Sequence, residues 1–202
     1  MTTKTNKILS AAVAIAIIVS VAVLVYVNLP KEKDSSLEDN TAHKTTPPIF
    51  SLIFDDKQTN YTIADLIQLE VYTAKGGYRT QSGFIKGMGN YTGVNISTLV
   101  NTFHPASLPY SLKVYSEDGG NLSINYSTIL GNVDIYNADN ASDPNPIGNG
   151  GVTMVLAYQY EGNWLNESND GKLKIVFIDE KGSITQASLW WKKVTSIRII
   201  TE

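Results

Sequence analysis

An apolar run near the amino terminus, broken mildly by Ser10 and Ser20, constrains this chain more than any other feature. The run from Ile8 to Val27 contains 20 residues and no charge, and it follows Lys4 and Lys7. A helix rises about 1.5 Å per residue, so a run of this length matches the hydrocarbon core of a bilayer, about 30 Å thick. The sequence therefore predicts a transmembrane helix over Ile8–Val27.

A cleavable signal peptide is the alternative interpretation of this run. Its apolar region is shorter, about 7–15 residues, and small residues mark its cleavage site. No Ala-x-Ala pattern follows Val27, which favours an uncleaved signal anchor in the cell membrane. We expect residues 1–7 to form a cytoplasmic tip, residues 28–48 a flexible linker, and residues 49–202 an extracytoplasmic domain.

Beyond Val27 the chain is acidic and contains no cysteine. It carries 14 basic and 19 acidic residues there, a net charge of −5. A nucleic-acid partner would require a basic face, so the charge argues against one. The absence of cysteine excludes disulfides, thiolate metal sites and cysteine nucleophiles. A domain of this length can instead fold on its hydrophobic core alone.

Asn-x-Ser/Thr sequons are frequent in the polar part of the chain. Such sequons are glycosylation acceptors in secreted protein, and their number after an anchor favours a domain outside the cell. An asparagine-rich polar surface would also produce some of them by chance, so this alternative stays open. The candidate glycosylation sites are Asn60, Asn90, Asn95, Asn121, Asn125, Asn140 and Asn166.

The domain pattern is mostly β with two or three short helices. Short apolar runs such as Ile49–Phe54 predict strands. Thr62 and Asp65 form a capping box, which predicts a helix over Ile63–Leu69 because both side chains can accept free backbone amides.

Other local signals predict a helix start and two turns. Asn95 is expected to cap a helix that runs through Phe103. Glu117–Gly120 lies between two strand-like runs and predicts a hairpin. The pair Gly76-Gly77 predicts a further turn.

Five short motifs occur along the domain in an order shared with a known family. They are Gly93–Val100, Ser116–Gly119, Tyr160–Gly162, Gly171–Val176 and Trp190–Ile199. Together they resemble the sulfite-oxidase-like, molybdopterin-binding domain family over Tyr61 to Thr201. The resemblance implies an α+β fold, mostly β, in which a curled, mixed, barrel-like sheet carries short helices.

The metal-binding signature of that family is missing. Its active members bind molybdenum through a cysteine thiolate, a soft ligand, and the nearest stretch here, Ala74–Arg79, puts Ala74 in or near that position. Lys172 and Lys174 stand where the family has a proline and an arginine. The resemblance thus implies a relative that lacks molybdenum and does not transfer oxygen atoms. Molybdopterin itself stays possible as a cofactor, on the family resemblance only.

The resemblance also places a ligand pocket between the early strand and the last strands. Cations that converge there in an acidic domain would suit an anionic ligand or partner. Alternatively, the lysines point to solvent; alternation with period two puts Lys172 and Lys174 on one face of a strand. The candidate pocket residues are Gly76, Gly77, Tyr78, Arg79, Lys172, Lys174, Trp191 and Lys192.

These observations favour a binding or interaction module over an enzyme. Its expected partners are the membrane, through Ile8–Val27, and a small anionic ligand or an envelope protein. Two alternative functions stay open. One is a molybdopterin-dependent oxidoreductase with atypical metal ligation, and the other is a structural component of the cell envelope.

Overall fold

The computed structural model of the chain describes residues 46–105, 108–140 and 142–201. These residues belong to one compact unit, Thr45–Glu202. The predicted span Ile8–Val27 lies outside the described residues, as do the predicted tip and most of the linker. Within the described residues, no helix combines the length and apolar character needed to cross a membrane.

Short strands dominate the described residues, as the sequence predicts. The strands are β1 Phe50–Phe54, β2 Lys57–Tyr61, β3 Val71–Arg79, β4 Ile85–Asn95, β5 Tyr110–Ser116, β6 Asn121–Ile124, β7 Asp134–Ile135, β8 Gly148–Asn149, β9 Thr153–Tyr160, β10 Asn163–Trp164, β11 Lys174–Ile178, β12 Ile184–Gln186 and β13 Val194–Thr201. The helices are α1 Ile63–Ile67, α2 Ile96–Asn101 and α3 Tyr126–Ile129, with a 3₁₀ turn at Ala187–Leu189.

The strands form two main sheets and one small one. The first main sheet has the order β2-β1-β13-β5-β6. The second has the order β10-β9-β4-β3-β12, with β11 also paired to β9, and β7 pairs with β8 in the small sheet. Most pairs are antiparallel, but β1 with β13 and β12 with β3 are parallel, so the sheets are mixed.

The predicted mostly-β, mixed architecture is confirmed, but the prediction of a curled barrel-like sheet needs correction. Each main sheet, within the described ranges, ends in edge strands that do not pair with each other. A barrel requires the first and last strands to meet, which closes every edge. The domain therefore has two open sheets instead of one closed one.

Strand β11 lies deepest in the second sheet. All five of its residues are buried, and it pairs along β9, whose central residues are also buried. An unbroken buried run of this kind indicates a strand covered on both faces. The run is apolar except for its first residue, Lys174, which therefore brings a charge into the interior.

The local capping and hairpin predictions are confirmed. In α1, the Asp65 amide donates to Thr62 Oγ1 over 3.2 Å, and the Thr62 amide donates to Asp65 Oδ2 over 2.7 Å. Asn95 caps α2, where its Oδ1 accepts from the Ser97 amide over 2.8 Å. Strands β5 and β6 form the predicted hairpin on either side of Glu117–Gly120. Both helices end earlier than predicted, at Ile67 and Asn101.

The predicted turn at Gly76-Gly77 is wrong. Both glycines lie inside β3, at a shift in its register with β4. A Cβ atom on Gly76 would lie 2.7 Å from the Phe177 carbonyl oxygen, and one on Gly77 would lie 2.3 Å from Met88 Sδ. Glycine within a strand can mark close approach of a neighbour, and that is its role here.

Candidate functional site

Lys174 is a buried cation that shares its counter-charge with an exposed one. Its side chain is only 5% exposed, and its Nζ lies 3.1 Å from Asp170 Oδ1. Lys192 Nζ lies 3.1 Å from the same oxygen, although the Lys192 side chain is 47% exposed. One carboxylate oxygen, on a side chain 22% exposed, therefore binds two ammonium groups.

Three aromatic rings surround the Lys174 ammonium. Its Nζ lies 5.8 Å from the ring centroid of Tyr78, 5.6 Å from that of Tyr91 and 5.4 Å from that of Trp190. Each distance is within the range of a cation–π interaction, about 6 Å. We call Lys174, Asp170 and these three rings the lysine cage.

Hydrogen bonds and ring contacts fix the orientation of the rings. Trp190 Nε1 donates to Thr185 Oγ1 over 2.7 Å, and the Tyr91 hydroxyl donates to the Gly87 carbonyl over 2.9 Å. The Trp190 ring centroid lies 5.2 Å from those of both Tyr78 and Tyr91. The rings thus support one another as well as the ammonium, and the polar atoms of Trp190 and Tyr91 are satisfied.

The charges of the lysine cage shift one another's pKa values. Burial alone would raise the pKa of the Asp170 carboxyl, but the charges and hydrogen bonds of Lys174 and Lys192 outweigh it and hold that pKa below its ordinary value. Burial lowers the pKa of the Lys174 ammonium by more than Asp170 raises it. Burial also raises the pKa of the Tyr91 hydroxyl, so this phenol stays neutral.

The loop before β11 places Asp170 beside the last segments of the chain. The Lys193 amide donates to the Asp170 carbonyl over 2.7 Å. Gly171 follows with φ +74, and a Cβ atom there would lie 2.5 Å from Lys193 Cα. Next along the chain, Ile175 and Trp191 exchange two backbone hydrogen bonds, of 2.8 and 3.2 Å. Gly171 is therefore the point at which the loop packs closely against the segment that carries Lys192.

Three of the predicted pocket residues meet in or at the lysine cage. Tyr78 and Lys174 are members of it, and Lys192 reaches it through Asp170. Three members, Tyr91, Asp170 and Trp190, are not among the predicted pocket residues. The spacing of Asp170 four residues before Lys174 is a possible signal, but it brings side chains together in a helix, and the sequence predicts no helix there.

The other predicted pocket residues lie elsewhere. The Arg79 guanidinium carbon lies 5.3 Å from the Tyr136 ring centroid, a contact outside the cage. Trp191 is partly buried, and its Nε1 has no hydrogen-bond partner within the described ranges. Gly76 and Gly77 contribute close strand packing only. The last residue, Lys172, is exposed and lines the grooves described next.

Two neighbouring surface grooves meet at Lys172. Their volumes are about 350 and 360 Å³, and both are lined by Ile49, Glu167 and Lys172. The first continues between charged side chains, and the second continues along an apolar wall that includes Trp164, whose residue is 59% exposed. We call the two together the Lys172 groove. Its other lining residues are Pro48, Glu117, Gly171, Lys193, Val194 and Thr195 in the first part, and Thr46, Pro47, Ile63, Trp164 and Leu165 in the second.

Five of the seven sequon asparagines are exposed, and Asn90 and Asn95 are partly buried. Asn95, Asn125 and Asn166 each accept a backbone amide through Oδ1, two of them as helix N-caps. These hydrogen bonds give a local structural reason for the asparagine at each of the three positions, because a side-chain oxygen there satisfies a free backbone amide. Glycosylation at the sequons stays a prediction.

Comparison with known proteins finds similarity among solved structures. No family model matches the chain. No curated protein matches it. Among solved structures, the chain is similar to the crystal structure of the sulfane dehydrogenase SoxCD from Paracoccus pantotrophus, with a TM-score of 0.49 and 14% sequence identity. The match covers 76% of this chain and 38% of that chain, so this chain spans well under half of the other's length.

The residues present do not fit a thiolate-bound molybdenum centre. Ala74 offers a methyl group, is 7% exposed, and lies opposite Tyr91 across β3 and β4. Residues opposite each other in an antiparallel pair share a face of the sheet, so Ala74 is next to the lysine cage. Tyr91 is 2% exposed and Trp190 6%, so the protein's own side chains fill the neighbouring volume.

Proposed function

We propose that the chain is a membrane-anchored, extracytoplasmic binding module that lacks molybdenum and performs no oxygen-atom transfer. The lysine cage is the observation that supports this most directly. Next to Ala74, where the family resemblance implies a metal thiolate, the domain holds a buried ion pair among three rings. The chain contains no cysteine, so it has no thiolate that could bind molybdenum there.

We assign binding to the Lys172 groove. Each of its two parts has a volume near the lower end of the range for small-molecule sites, about 300–1,000 Å³. Lys172 and Lys193 supply ammonium groups on one part, which the carboxylates of Glu117 and Glu167 also line. Trp164 supplies an exposed aromatic surface on the other part. A ligand with an anionic group and an apolar portion would match this combination.

Elemental analysis tests the absence of molybdenum. The full chain is purified from a host that makes the molybdopterin cofactor, and molybdenum and tungsten are measured per chain. We expect neither in stoichiometric amount. About one metal atom per chain would contradict the proposal.

An Ala74→Cys variant provides the matched control. It restores a thiol at the position implied by the resemblance and leaves the lysine cage intact. We expect this variant to remain metal-free as well, because the adjacent volume is occupied. If the variant gains metal, the missing thiol alone explains why the parent has none. The side chains of the lysine cage then do not prevent metal binding.

Protease treatment of intact cells tests the anchored topology. The apolar run Ile8–Val27 and the sequons support a domain outside the membrane. External protease should remove the domain and leave a short membrane-bound fragment. A domain that becomes sensitive only after the cells are lysed, or a mature protein that begins near Asn28, would contradict this topology.

A further inference from the structure

We infer that Asp170 and the three rings of the lysine cage form a binding site for a primary alkylammonium group, and that the Lys174 side chain is its built-in occupant. This goes beyond the proposed function, which requires only that no cofactor occupies this part of the domain. Three features of the cage and its surroundings indicate what it recognises.

The first feature is that the cage matches both properties of a primary ammonium. Three ring centroids at 5.4–5.8 Å from Lys174 Nζ provide cation–π attraction on several sides. Asp170 Oδ1, at 3.1 Å, accepts a hydrogen bond that requires an N–H group. A quaternary ammonium has the charge but no N–H, and an alcohol has a donor but no charge. The cage should therefore favour the primary amine over both.

The second feature is the contrast between the two ammonium groups on one oxygen. Lys192 Nζ makes the same 3.1 Å contact with Asp170, yet its side chain is 47% exposed and remains in contact with water. The Lys174 side chain is 5% exposed, so its ammonium contacts aromatic rings in place of water. An ion pair alone accounts for Lys192, whereas Lys174 needs the rings because burial of a charge is costly without such compensation.

The third feature is the partial exposure of the carboxylate that binds the ammonium. The Asp170 side chain is 22% exposed, so the carboxylate faces both the buried ammonium and the solvent. Removal of the Lys174 side chain beyond Cβ would leave a cavity of the length of n-propylammonium, between this carboxylate and Trp190. Cavities made by truncation of buried side chains can bind small molecules that replace the missing atoms.

The test is rescue of the Lys174→Ala variant by n-propylammonium. The full chain is melted with increasing amine, followed by near-ultraviolet circular dichroism. We expect the melting temperature of the variant to rise by about 3–5 °C at ten times the dissociation constant, and that of the parent not to rise. Tetramethylammonium and 1-propanol at the same concentrations should raise it less. The Lys192→Ala variant keeps an occupied cage, so the amine should not stabilise it.

Equal effects of n-propylammonium on Lys174→Ala and on the parent would overturn the inference. So would equal stabilisation of the variant by 1-propanol, since the cavity would then select for volume instead of charge. Because Lys174→Ala could fail to fold, a second experiment uses the parent chain.

In the parent chain, reductive methylation measures the access of reagent to each lysine, with peptide mass spectrometry as the readout. We expect Lys174 to react at least tenfold more slowly than Lys192 in the folded protein and at the same rate in denaturant. Similar rates in the folded protein would show that the ammonium does not reside in the cage. Neither experiment depends on metal content, so the failure of this inference and that of the proposed function are distinguishable.

Discussion

Lys172 and Lys174 lie two residues apart in the sequence but belong to two contrasting regions, the Lys172 groove and the lysine cage. Lys172 is exposed in an open groove, with no ion pair within the described part of the chain. Lys174 is buried in the lysine cage, bound to Asp170. One region therefore has unpaired charge available to a ligand, and the other has charge already satisfied by the protein.

The separation of the two lysines has a backbone cause. Strand β11 begins at Lys174, so Lys172 precedes it, close to Gly171 with its φ of +74. Period-two alternation, which predicts one face for both lysines, applies only within a regular strand. It also gives no information inside β11, where residues on both faces are buried. The alternative that both lysines point to solvent holds for Lys172 alone.

The largest expected effect on stability comes from Asp170→Asn, in the lysine cage. The change would leave Lys174 buried without an ionised partner, and loss of one partner of a buried pair costs about 3–5 kcal/mol. We expect about 3 kcal/mol lower free energy of unfolding, since the amide oxygen can still accept a hydrogen bond. Urea unfolding of the variant and the parent gives the value.

Lys174→Met is the matched control for that variant. It keeps the length of the side chain among the rings, and Asp170 retains Lys192 as its partner. We expect a loss under about 1 kcal/mol, because an apolar group of similar volume often replaces a buried ion without cost. If Lys174→Met were as damaging as Asp170→Asn, the asymmetry between the two partners would be wrong.

The second effect is at the junction of the two regions, through Gly171→Ala. A side chain there must adopt φ +74 and would bring Cβ to 2.5 Å from Lys193 Cα. We expect about 2–3 kcal/mol of destabilisation from backbone strain and overpacking combined. Gly162 also has φ +74, but a Cβ atom there would meet nothing within 4 Å, so Gly162→Ala should cost only the strain, about 1–2 kcal/mol. Equal losses in thermal or urea unfolding would show that the contact with Lys193 is not a constraint.

Sequence reasoning located the elements whose signals are local. The capping box of Thr62 and Asp65 predicts α1 because both partners lie within one helical turn. The pair Gly76-Gly77 misled because glycine is typical of turns as well as of close strand packing, and Phe177, the neighbour that decides, is distant in sequence. Local signals therefore predict where helices begin better than how the elements pack.

The site was predicted only in part, for the same reason. Tyr78, Lys174 and Lys192 are predicted pocket residues because the family resemblance implies a pocket between their segments. Tyr91, Asp170 and Trp190 complete the cage through tertiary contacts, from β4, from the loop before β11 and from the residue after the 3₁₀ turn. None of these contacts follows a strand or helix period, so sequence patterns do not reveal that rings and a carboxylate enclose Lys174.

A smaller effect is the pH dependence of the cage. Because the pKa of Asp170 is lowered in the folded state, its ionised carboxyl contributes stability above its unfolded pKa, and this contribution is lost as the pH falls through the lower folded value. We expect the stability difference between the parent and Asp170→Asn to stay constant from about pH 8 to 5 and to shrink below about pH 4. Urea unfolding at several pH values measures it. A difference that persists undiminished well into the acid range would mean that another group dominates.

The smallest expected effect on stability comes from Lys172→Ala, in the Lys172 groove. Surface substitutions away from special features usually change stability by less than about 0.5 kcal/mol, and no ion pair of Lys172 is lost within the described residues. The same change should weaken the binding of an anionic ligand, since the groove loses an ammonium shared by both of its parts. Titration calorimetry with anionic small molecules, alongside urea unfolding, separates the two readouts. A large loss of stability would show that Lys172 supports the fold. If neither Lys172→Ala nor Lys174→Met changes the affinity for an anion that the parent binds, that anion binds outside both the Lys172 groove and the lysine cage.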